Sequence, residues 1–344
     1  MNTKVTLQPI FSYHTSIKSL LERNVNNQEY VANSARSSLW IALDSLLKEN
    51  SKIKKIMLPD LICSEIIPII ESFNLPILFY SIDEQLNPDL NFIEKNIKND
   101  LSAILVVNYF GKSSNWKDII ELKANHNCVI IEDNAHSLYG EFNNIDFGDL
   151  GDISFNSLRK VLPVLSGSIL KVNNNLEIFT KLSNRFLSFS EFKYSLRFLS
   201  SNTKILKHES NESIAHTTYD NIQSIDHFSY KIYLSQKNNK DTICKQRQAN
   251  YRFWSNFIKN SDLELIDLGS SVCPYAMPCI FDDKRVYDKW LNWGIVNNIN
   301  LIKWPSLPTL SFFKLKNRRL ENILLFPVNH MHDINTMDLS NVKD

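Results

Sequence analysis

The chain has 344 residues, 43% hydrophobic and 22% charged, a composition typical of a globular protein with a substantial core. Its 38 basic residues balance 37 acidic ones, so overall charge gives no reason to expect nucleic acid or an acidic membrane surface as a partner. No apolar run approaches the ~20 residues of a membrane span, and the N-terminal residues lack the profile of a secretion signal. Five scattered cysteines without CxxC spacing indicate free thiols, so we expect a cytoplasmic protein without a metal site.

The low glycine content argues against the glycine-rich loops that bind phosphate in many proteins. The chain contains 7 glycines, where average usage of about 7% would give roughly 24. It has neither a GxGxxG nor a GxxxxGK[ST] motif, which argues against dinucleotide and P-loop sites. A bound phosphate would therefore be held by hydroxyl groups, by Arg or Lys, and by the N-terminus of a helix.

Helix and strand patterns alternate from residue 30 to about residue 172. The stretch 101–109 is almost continuously apolar, the pattern of a strand buried on both faces of a parallel sheet. This alternation predicts an α/β fold, a sandwich built on a mostly parallel sheet. Helices are predicted over 37–47, 62–73, 90–97 and 116–125, and strands over 55–58, 76–82, 101–109, 128–131, 152–155 and 168–172.

The later part of the chain has a different character. Residues 175–240 are polar, basic and predicted to be helical, with turn-like stretches around 210–218. A long helix from Cys244 then leads into an α+β region with strands predicted over 275–281, 299–302 and 323–326. We predict a large α/β domain over 1–235, whose N-terminal segment is free to pack on the other domain, and a small C-terminal α+β domain over 236–344. The basic run 314–319 has two interpretations, a solvated helix face, which is favoured, and a contact to a nucleotide diphosphate.

Asp133 is the first candidate for chemistry. It follows the predicted strand 128–131, and ligands of open α/β sheets bind beyond the carboxyl ends of the strands. A carboxylate at the mouth of a buried strand needs a cationic or hydrogen-bonding partner. The alternative is that Asp133 caps a helix beginning at Asn134.

Two further segments complete the candidate site. Lys160, beside Arg159, is either an ordinary surface lysine or an amine that a desolvated, cation-rich pocket keeps partly neutral. The run Asn33-Ser-Ala-Arg-Ser-Ser-Leu is either a plain N-cap or an anion site at a helix start, with Arg36 adding a fixed charge. An anion site, a carboxylate for a heteroaromatic nitrogen and an imine-forming lysine together match pyridoxal phosphate (PLP).

Across most of its length the chain resembles the DegT/DnrJ/EryC1/StrS family of PLP-dependent sugar aminotransferases. The similar segments, in chain order, are Ser34-Ala-Arg-Ser-Ser-Leu, Leu58-Pro-Asp-Leu-Ile-Cys, Leu86-Asn-Pro-Asp, Val106-Val-Asn-Tyr-Phe-Gly, Ile131-Glu-Asp-Asn-Ala-His, Gly148-Asp-Leu-Gly-Asp-Ile-Ser-Phe and Leu325-Phe-Pro-Val-Asn-His. The resemblance implies a fold-type I, three-layer α/β/α architecture with a smaller C-terminal domain. It also implies a homodimer whose active sites lie between the subunits.

The same resemblance implies roles for individual residues. Lys160 would form the Schiff base with PLP, and Asp133 would bind the pyridine nitrogen. His136 would lie near the ring oxygen, with a capped or core histidine as the alternative. The phosphate ligands would be Arg36, Ser37 and Ser154, with Ser157 as a competitor of Ser154.

Departures from the family pattern indicate a divergent branch. Cys63 stands where the family has an aromatic residue that stacks on the cofactor, so stacking must be weaker or come from elsewhere. One extra residue separates Phe155 from Lys160, and the glycine pair after the lysine is Gly167-Ser168. The G-[YF]-N segment that supplies a phosphate ligand from the partner subunit is not recognisable in 175–240.

The implied activity is amino transfer, with glutamate as donor and a nucleotide-linked keto-sugar as acceptor, in the synthesis of surface polysaccharides such as O-antigen. Two alternatives stay open. One is a PLP-dependent sugar dehydratase, although such relatives carry His in place of the lysine. The other is a scaffold protein with the same fold and no turnover.

Overall fold

The computed structural model describes residues 5–9, 30–49, 52–97, 101–173, 176–183, 222–337 and 339. The turn-like stretch predicted around 210–218 lies outside these residues. So does most of the 175–240 segment, in which no partner-subunit motif is recognisable.

A seven-stranded sheet forms the centre of the large domain. Its members are β1 (Tyr30–Ala32), β2 (Lys55–Pro59), β3 (Ile77–Tyr80), β4 (Ser102–Val107), β5 (Cys128–Asn134), β8 (Ile153–Asn156) and β9 (Ser168–Val172), while β6 (Glu141–Phe142) and β7 (Ile145–Asp146) form a hairpin. The strand order is β1-β9-β8-β5-β4-β2-β3. From β8 to β3 all neighbours run parallel, whereas β9 runs antiparallel to β8 and β1. The predicted α/β class with a mostly parallel sheet is confirmed.

The large domain has six helices among the described residues: α1 (Ala35–Glu49), α2 (Ile67–Glu71), α3 (Leu90–Ile97), α4 (Trp116–Asn125), α5 (Leu158–Val161) and α6 (His227–Gln236). Of these, α2, α3 and α4 connect parallel strands. The predicted bounds of α3 and α4 are confirmed. The predicted helix 62–73 is wrong in extent, because only a 3₁₀ turn at Ser64–Ile66 and the short α2 form there. Pro68 lies in the first turn of α2, the one place where a helix tolerates its missing N–H.

The small domain contains an antiparallel sheet packed against two helices. Its elements are α7 (Lys240–Phe257), β10 (Glu264–Leu265), β11 (Ala276–Ile280), α8 (Lys284–Val296), β12 (Ile302–Trp304) and β13 (Ile323–Pro327), with strand order β10-β11-β13-β12. The fully buried Trp254 of α7 and Trp290 of α8 pack against Phe326 of β13. From the N-terminal segment, Val5 bridges to Ile299 of this domain. The division at residue 235 stays a prediction.

Two details of the small domain differ from the sequence-based expectation. The strand predicted over 299–302 begins at Ile302, and the helix α8, which Asp283 caps through two backbone N–H groups, was not assigned. The basic run 314–319 does not form a solvated helix face, because its regular structure is a 3₁₀ turn at Arg318–Glu321. The favoured interpretation of that run is therefore wrong.

The two domains meet beside the carboxyl edge of the large sheet. The turn Tyr109–Gly111 follows β4, and the Phe110 carbonyl accepts a hydrogen bond of 2.9 Å from the Tyr275 N–H. Gly111 is required here: its φ is +98°, and a Cβ atom would lie 2.3 Å from the Cys273 carbonyl oxygen. The described residues include neither a helix long and apolar enough to cross a membrane nor a cluster of metal-ligating side chains.

Candidate active site

Asp133 lies near the carboxyl end of β5, which continues to Asn134 and is followed by a turn. The helix-cap alternative is therefore wrong. The side chain is 6% exposed, and its Oδ1 accepts a hydrogen bond of 2.8 Å from the Ala135 N–H. Burial raises the pKa of this carboxyl to about 6, against the opposing effects of that hydrogen bond and of the Lys160 charge. Among the described residues no other group donates to it, so the carboxylate is only partly satisfied.

Lys160 lies in the short helix α5, on the side of the sheet edge that faces the small domain. Its Nζ is 5.6 Å from the centre of the Tyr275 ring. Desolvation lowers the pKa of Lys160, and the nearby positive charge of Arg159 lowers it further, whereas Cys63 and Asp133 raise it. The amine is thus close enough to Asp133 for the two charges to interact.

His136 is the middle ring of a three-ring stack. Its centre lies 5.2 Å from Phe110 and 4.7 Å from Tyr275, and both interplanar angles are 18°. Trp304 packs edge-on at 5.4 Å. Burial, and then the charge of Lys160, hold the pKa of His136 well below its usual value, so the ring is neutral. Its Nδ1 is buried without a hydrogen-bond partner among the described residues.

The aromatic residues of this stack were not found from the sequence. Phe110 lies in the resembling segment Val106–Gly111, and Tyr275 comes directly before β11, but neither position carries a signal of side-chain direction. Phe110 also adopts a left-handed backbone conformation (φ 56°), which is uncommon for a bulky residue. Folding places Phe110, Tyr275 and Trp304 around His136. The site therefore contains aromatic rings even though Cys63 replaces the aromatic residue of the family pattern.

Cys63 also belongs to this group. It precedes the 3₁₀ turn Ser64–Ile66, and its thiol lies near the Trp304 side chain. Burial raises the pKa of its thiol to about 11, while the charge of Lys160 acts in the opposite direction. The thiol is therefore protonated at neutral pH and is not a nucleophile.

The start of α1 provides the anion-binding end of the site. Ser34 caps the helix by accepting a hydrogen bond of 3.2 Å from the Ser37 N–H, and Ser37 Oγ donates to Asn33. The half-buried Arg36 lies in the same first turn. Two backbone hydrogen bonds tie this turn to α5: Gly167 N–H donates to Asn33, and Leu158 N–H donates to Gly167. The helix start and the Lys160 segment are therefore neighbours.

The two candidate serines have different environments. Ser154 is paired in register with Glu132, on the face of the sheet opposite to Asp133, and its Oγ donates to the Gly148 carbonyl at 2.9 Å. The structure therefore does not bring Ser154 to the group around Asp133. Ser157 lies at the N-cap of α5, is buried and makes no capping hydrogen bond. Of the two candidate serines, Ser157 is the one in the segment that adjoins the helix start.

Arg247 fixes the position of α5 against the small domain. This fully buried residue of α7 donates to the carbonyl oxygens of Pro274 (3.1 Å), Tyr275 (3.3 Å) and Val161 (3.2 Å). Val161 follows Lys160, and Tyr275 carries the ring beneath the amine. One side chain thus holds both partners of the Lys160–Tyr275 contact.

Comparisons with known proteins bear on this arrangement. Residues 25–177 match the model of the DegT/DnrJ/EryC1/StrS aminotransferase family. The segment includes Arg36, Cys63, Asp133, His136 and Lys160, and the predicted family is thereby confirmed.

Solved structures support the same fold over nearly the whole chain. An aminotransferase of Helicobacter pylori involved in the biosynthesis of pseudoaminic acid aligns with a TM-score of 0.68 and 15% identity, over 94% of each chain. The Escherichia coli GDP-4-keto-6-deoxy-D-mannose-3-dehydratase with bound hydrated PLP aligns with a TM-score of 0.65 and 15% identity, over 91% of this chain and 85% of that one. At such identities the likeness establishes the fold, and the predicted fold-type I architecture is confirmed.

A curated relative matches over a shorter stretch. The UDP-4-amino-4,6-dideoxy-N-acetyl-beta-L-altrosamine transaminase of Campylobacter jejuni is 31% identical over 110 residues. That alignment covers 30% of this chain and 29% of the relative, less than a third of its length.

The side chains of Lys160, Asp133 and His136 and the start of α1 offer the partners that PLP requires. An aldehyde-binding cofactor needs an amine of lowered pKa, which Lys160 offers. A pyridine ring needs a carboxylate for its nitrogen, and Asp133 has one hydrogen bond among the described residues and a raised pKa. The unpartnered Nδ1 of His136 and the start of α1 complete a donor set for a ring oxygen and a phosphate. The residues fit the group.

Proposed function

We propose that the protein is a PLP-dependent aminotransferase that moves an amino group from glutamate to a nucleotide-linked keto-sugar, as a homodimer. The observation that carries the proposal is the pairing of an amine of lowered pKa, Lys160, with a buried, partly satisfied carboxylate, Asp133, at one edge of the sheet. The family matched by residues 25–177 and the sugar transaminase relative support it.

Each residue of the group has a role that its surroundings support. When bound, PLP supplies an aldehyde that condenses with amines and a ring that accepts the electron pair of a broken C–H bond. Asp133 holds the proton on the ring nitrogen. Lys160 Nζ takes the proton from Cα of the amino donor and then delivers it as an acid, a role for which a lowered pKa is suited. Arg36, Ser157 and the start of α1 bind the phosphate.

The neutral His136 orients the ring oxygen through the Nδ1 that has no partner within the described residues. The ring stack with Phe110 and Tyr275 excludes water from both faces of the imidazole and so keeps it uncharged. Tyr275 precedes β11 and Phe110 follows β4, so the contact between these two parts of the chain sets the position of His136.

Dehydration of the sugar is a second candidate, because a solved sugar 3-dehydratase has the same fold. The lysine at position 160 favours amino transfer, since the family's dehydratases carry His there. Incubation of PLP-loaded protein with glutamate and a panel of keto-sugar nucleotides separates the candidates by product mass. We expect an amino-sugar nucleotide; a deoxy-sugar product would replace transfer with dehydration, and absence of both products would favour a scaffold protein.

A further inference from the structure

A second cleft lies on the same edge of the large sheet as the candidate active site. Asp60 follows β2 directly and Ser81 follows β3 directly, so both lie at the carboxyl ends of parallel strands, as Asp133 does. The small-domain segment 314–318 forms the opposite wall. The cleft encloses about 510 Å³, within the usual range of sites for small ligands.

Asp60 builds this cleft by joining the two domains. The side chain is 2% exposed, and its oxygens accept hydrogen bonds from the Ile82 N–H (3.0 Å) and from the Lys316 N–H (2.9 Å). The second bond fixes a residue 256 positions away in the chain against the end of the sheet. The segment that carries the basic run is therefore held at a defined position.

The cleft carries uncompensated positive charge. Lys316 Nζ lies 3.5 Å from the Asp89 carboxylate and is thus partly neutralised. Lys314 and Arg318 are exposed and have no carboxylate within ion-pair distance among the described residues. Neighbouring Arg319, by contrast, is paired with two glutamates. Lys314 and Arg318, which have no carboxylate partner among the described residues, and the partly neutralised Lys316 lie in a single cleft. This arrangement favours a ligand with more than one negative charge.

Aromatic rings belong to the same cleft or adjoin it. Phe312 is 61% exposed, and its ring lies 6.2 Å from that of Phe79, which also packs edge-on against Phe313 at 5.0 Å. Phe79 and Phe92 line the cleft, and Phe312 adjoins it through its contact with Phe79. A largely exposed phenyl ring near these cations is suited to stack on the base of a nucleotide while the cations bind the phosphates of the same nucleotide.

We propose that this cleft binds the nucleoside diphosphate part of the substrate, with Lys314, Lys316 and Arg318 on the diphosphate and Phe312 on the base. The inference rests on the proposed function, because a nucleotide-linked sugar must also present its carbonyl carbon to Lys160. The two sites are near each other: Cys63 is three positions after Asp60, a span of at most about 10 Å, and the Cys63 thiol is close enough to Lys160 for their charges to interact.

The test is calorimetric titration of the PLP-loaded, full-length protein at low salt with UDP, GDP and inorganic pyrophosphate. The double variant Lys314→Glu/Arg318→Glu is expected to bind all three at least about tenfold more weakly. Phe312→Ala is expected to weaken UDP and GDP by about tenfold, through lost stacking, and to leave pyrophosphate unchanged. Matched controls are Lys259→Glu and Phe179→Ala, an exposed lysine and a 44%-exposed phenylalanine outside the cleft.

Unchanged affinities in the cleft variants, or equal losses in the controls, would overturn the proposal. So would a wild-type protein that binds none of the three ligands. The proposed function is followed separately, by the loss of the visible PLP band on addition of glutamate. One outcome is that glutamate removes that band in the wild type and in every variant while the cleft variants bind UDP, GDP and pyrophosphate as tightly as the wild type does. In that case the cleft assignment alone is wrong. If glutamate has no effect on the wild type, the aminotransferase assignment fails.

Discussion

Two adjacent carboxylates of β5, Glu132 and Asp133, point to opposite faces of the sheet and differ in how fully they are satisfied. Glu132 is fully buried and accepts four hydrogen bonds, from Asn108 Nδ2 (3.1 Å) and from the N–H groups of Gly148 (2.9 Å), Leu150 (3.3 Å) and Gly151 (3.3 Å). Asp133 is equally inaccessible but accepts one bond within the described residues.

This difference separates structure from function. A buried polar group that is saturated by backbone donors belongs to the scaffold, because every neighbour already has its partner. A buried polar group that is left undersatisfied costs free energy until a ligand supplies the missing partner. Ser154 lies on the same face of the sheet as Glu132 and is therefore not part of the site. The His136 Nδ1, which has no partner among the described residues, and the amine of Lys160 belong to the group around Asp133.

The largest effect is expected from Asp133→Asn. The amide cannot stabilise a protonated ring nitrogen, so turnover with glutamate and a keto-sugar nucleotide should fall by about 10²–10³-fold while the fold is retained. Steady-state kinetics with circular dichroism as a fold control check this. Turnover within threefold of wild type would remove Asp133 from the chemistry.

Glu132→Gln should affect stability instead of chemistry. The amide keeps one acceptor oxygen and turns an NH₂ group toward backbone N–H donors, which costs about 1–3 kcal/mol for each donor left without an acceptor. Urea unfolding should show this loss, and activity per folded molecule should stay close to wild type. An unchanged unfolding midpoint combined with lost activity would reverse the roles assigned to the two carboxylates.

The sequence predicted much of this arrangement and missed a definable part. It located β4, α3, α4 and the segments around Asp133 and Lys160, because apolar periodicity and strand ends are local features. It could not choose between Ser154 and Ser157, since that choice depends on which face of β8 Ser154 occupies and on where the chain leaves the strand before Ser157. It could not find Tyr275 or Arg247, because their contacts with the Lys160 helix join residues about a hundred positions apart.

A smaller effect concerns the apoprotein and pH. Burial raises the pKa of Asp133 to about 6, above the ordinary value of about 3.9 in an unfolded chain. The folded state therefore binds more protons than the unfolded state between these values, and the free energy of unfolding should decrease as pH rises through that window, by up to about 3 kcal/mol. Asp133→Asn removes the effect, so the variant apoprotein should be the more stable one at pH 7. A wild-type apoprotein more stable than the variant at pH 7 would contradict this.

The central claim is that the Lys160 amine and the Asp133 carboxylate hold opposite ends of one PLP ring. Borohydride reduction of the PLP-loaded protein, followed by peptide mass spectrometry, tests it most directly. The account predicts a pyridoxyl adduct on the peptide that contains Lys160, and its absence in Lys160→Ala with the neighbouring Lys171 unmodified. An adduct on another lysine, or a Lys160→Ala protein that keeps its visible PLP band, would contradict the account.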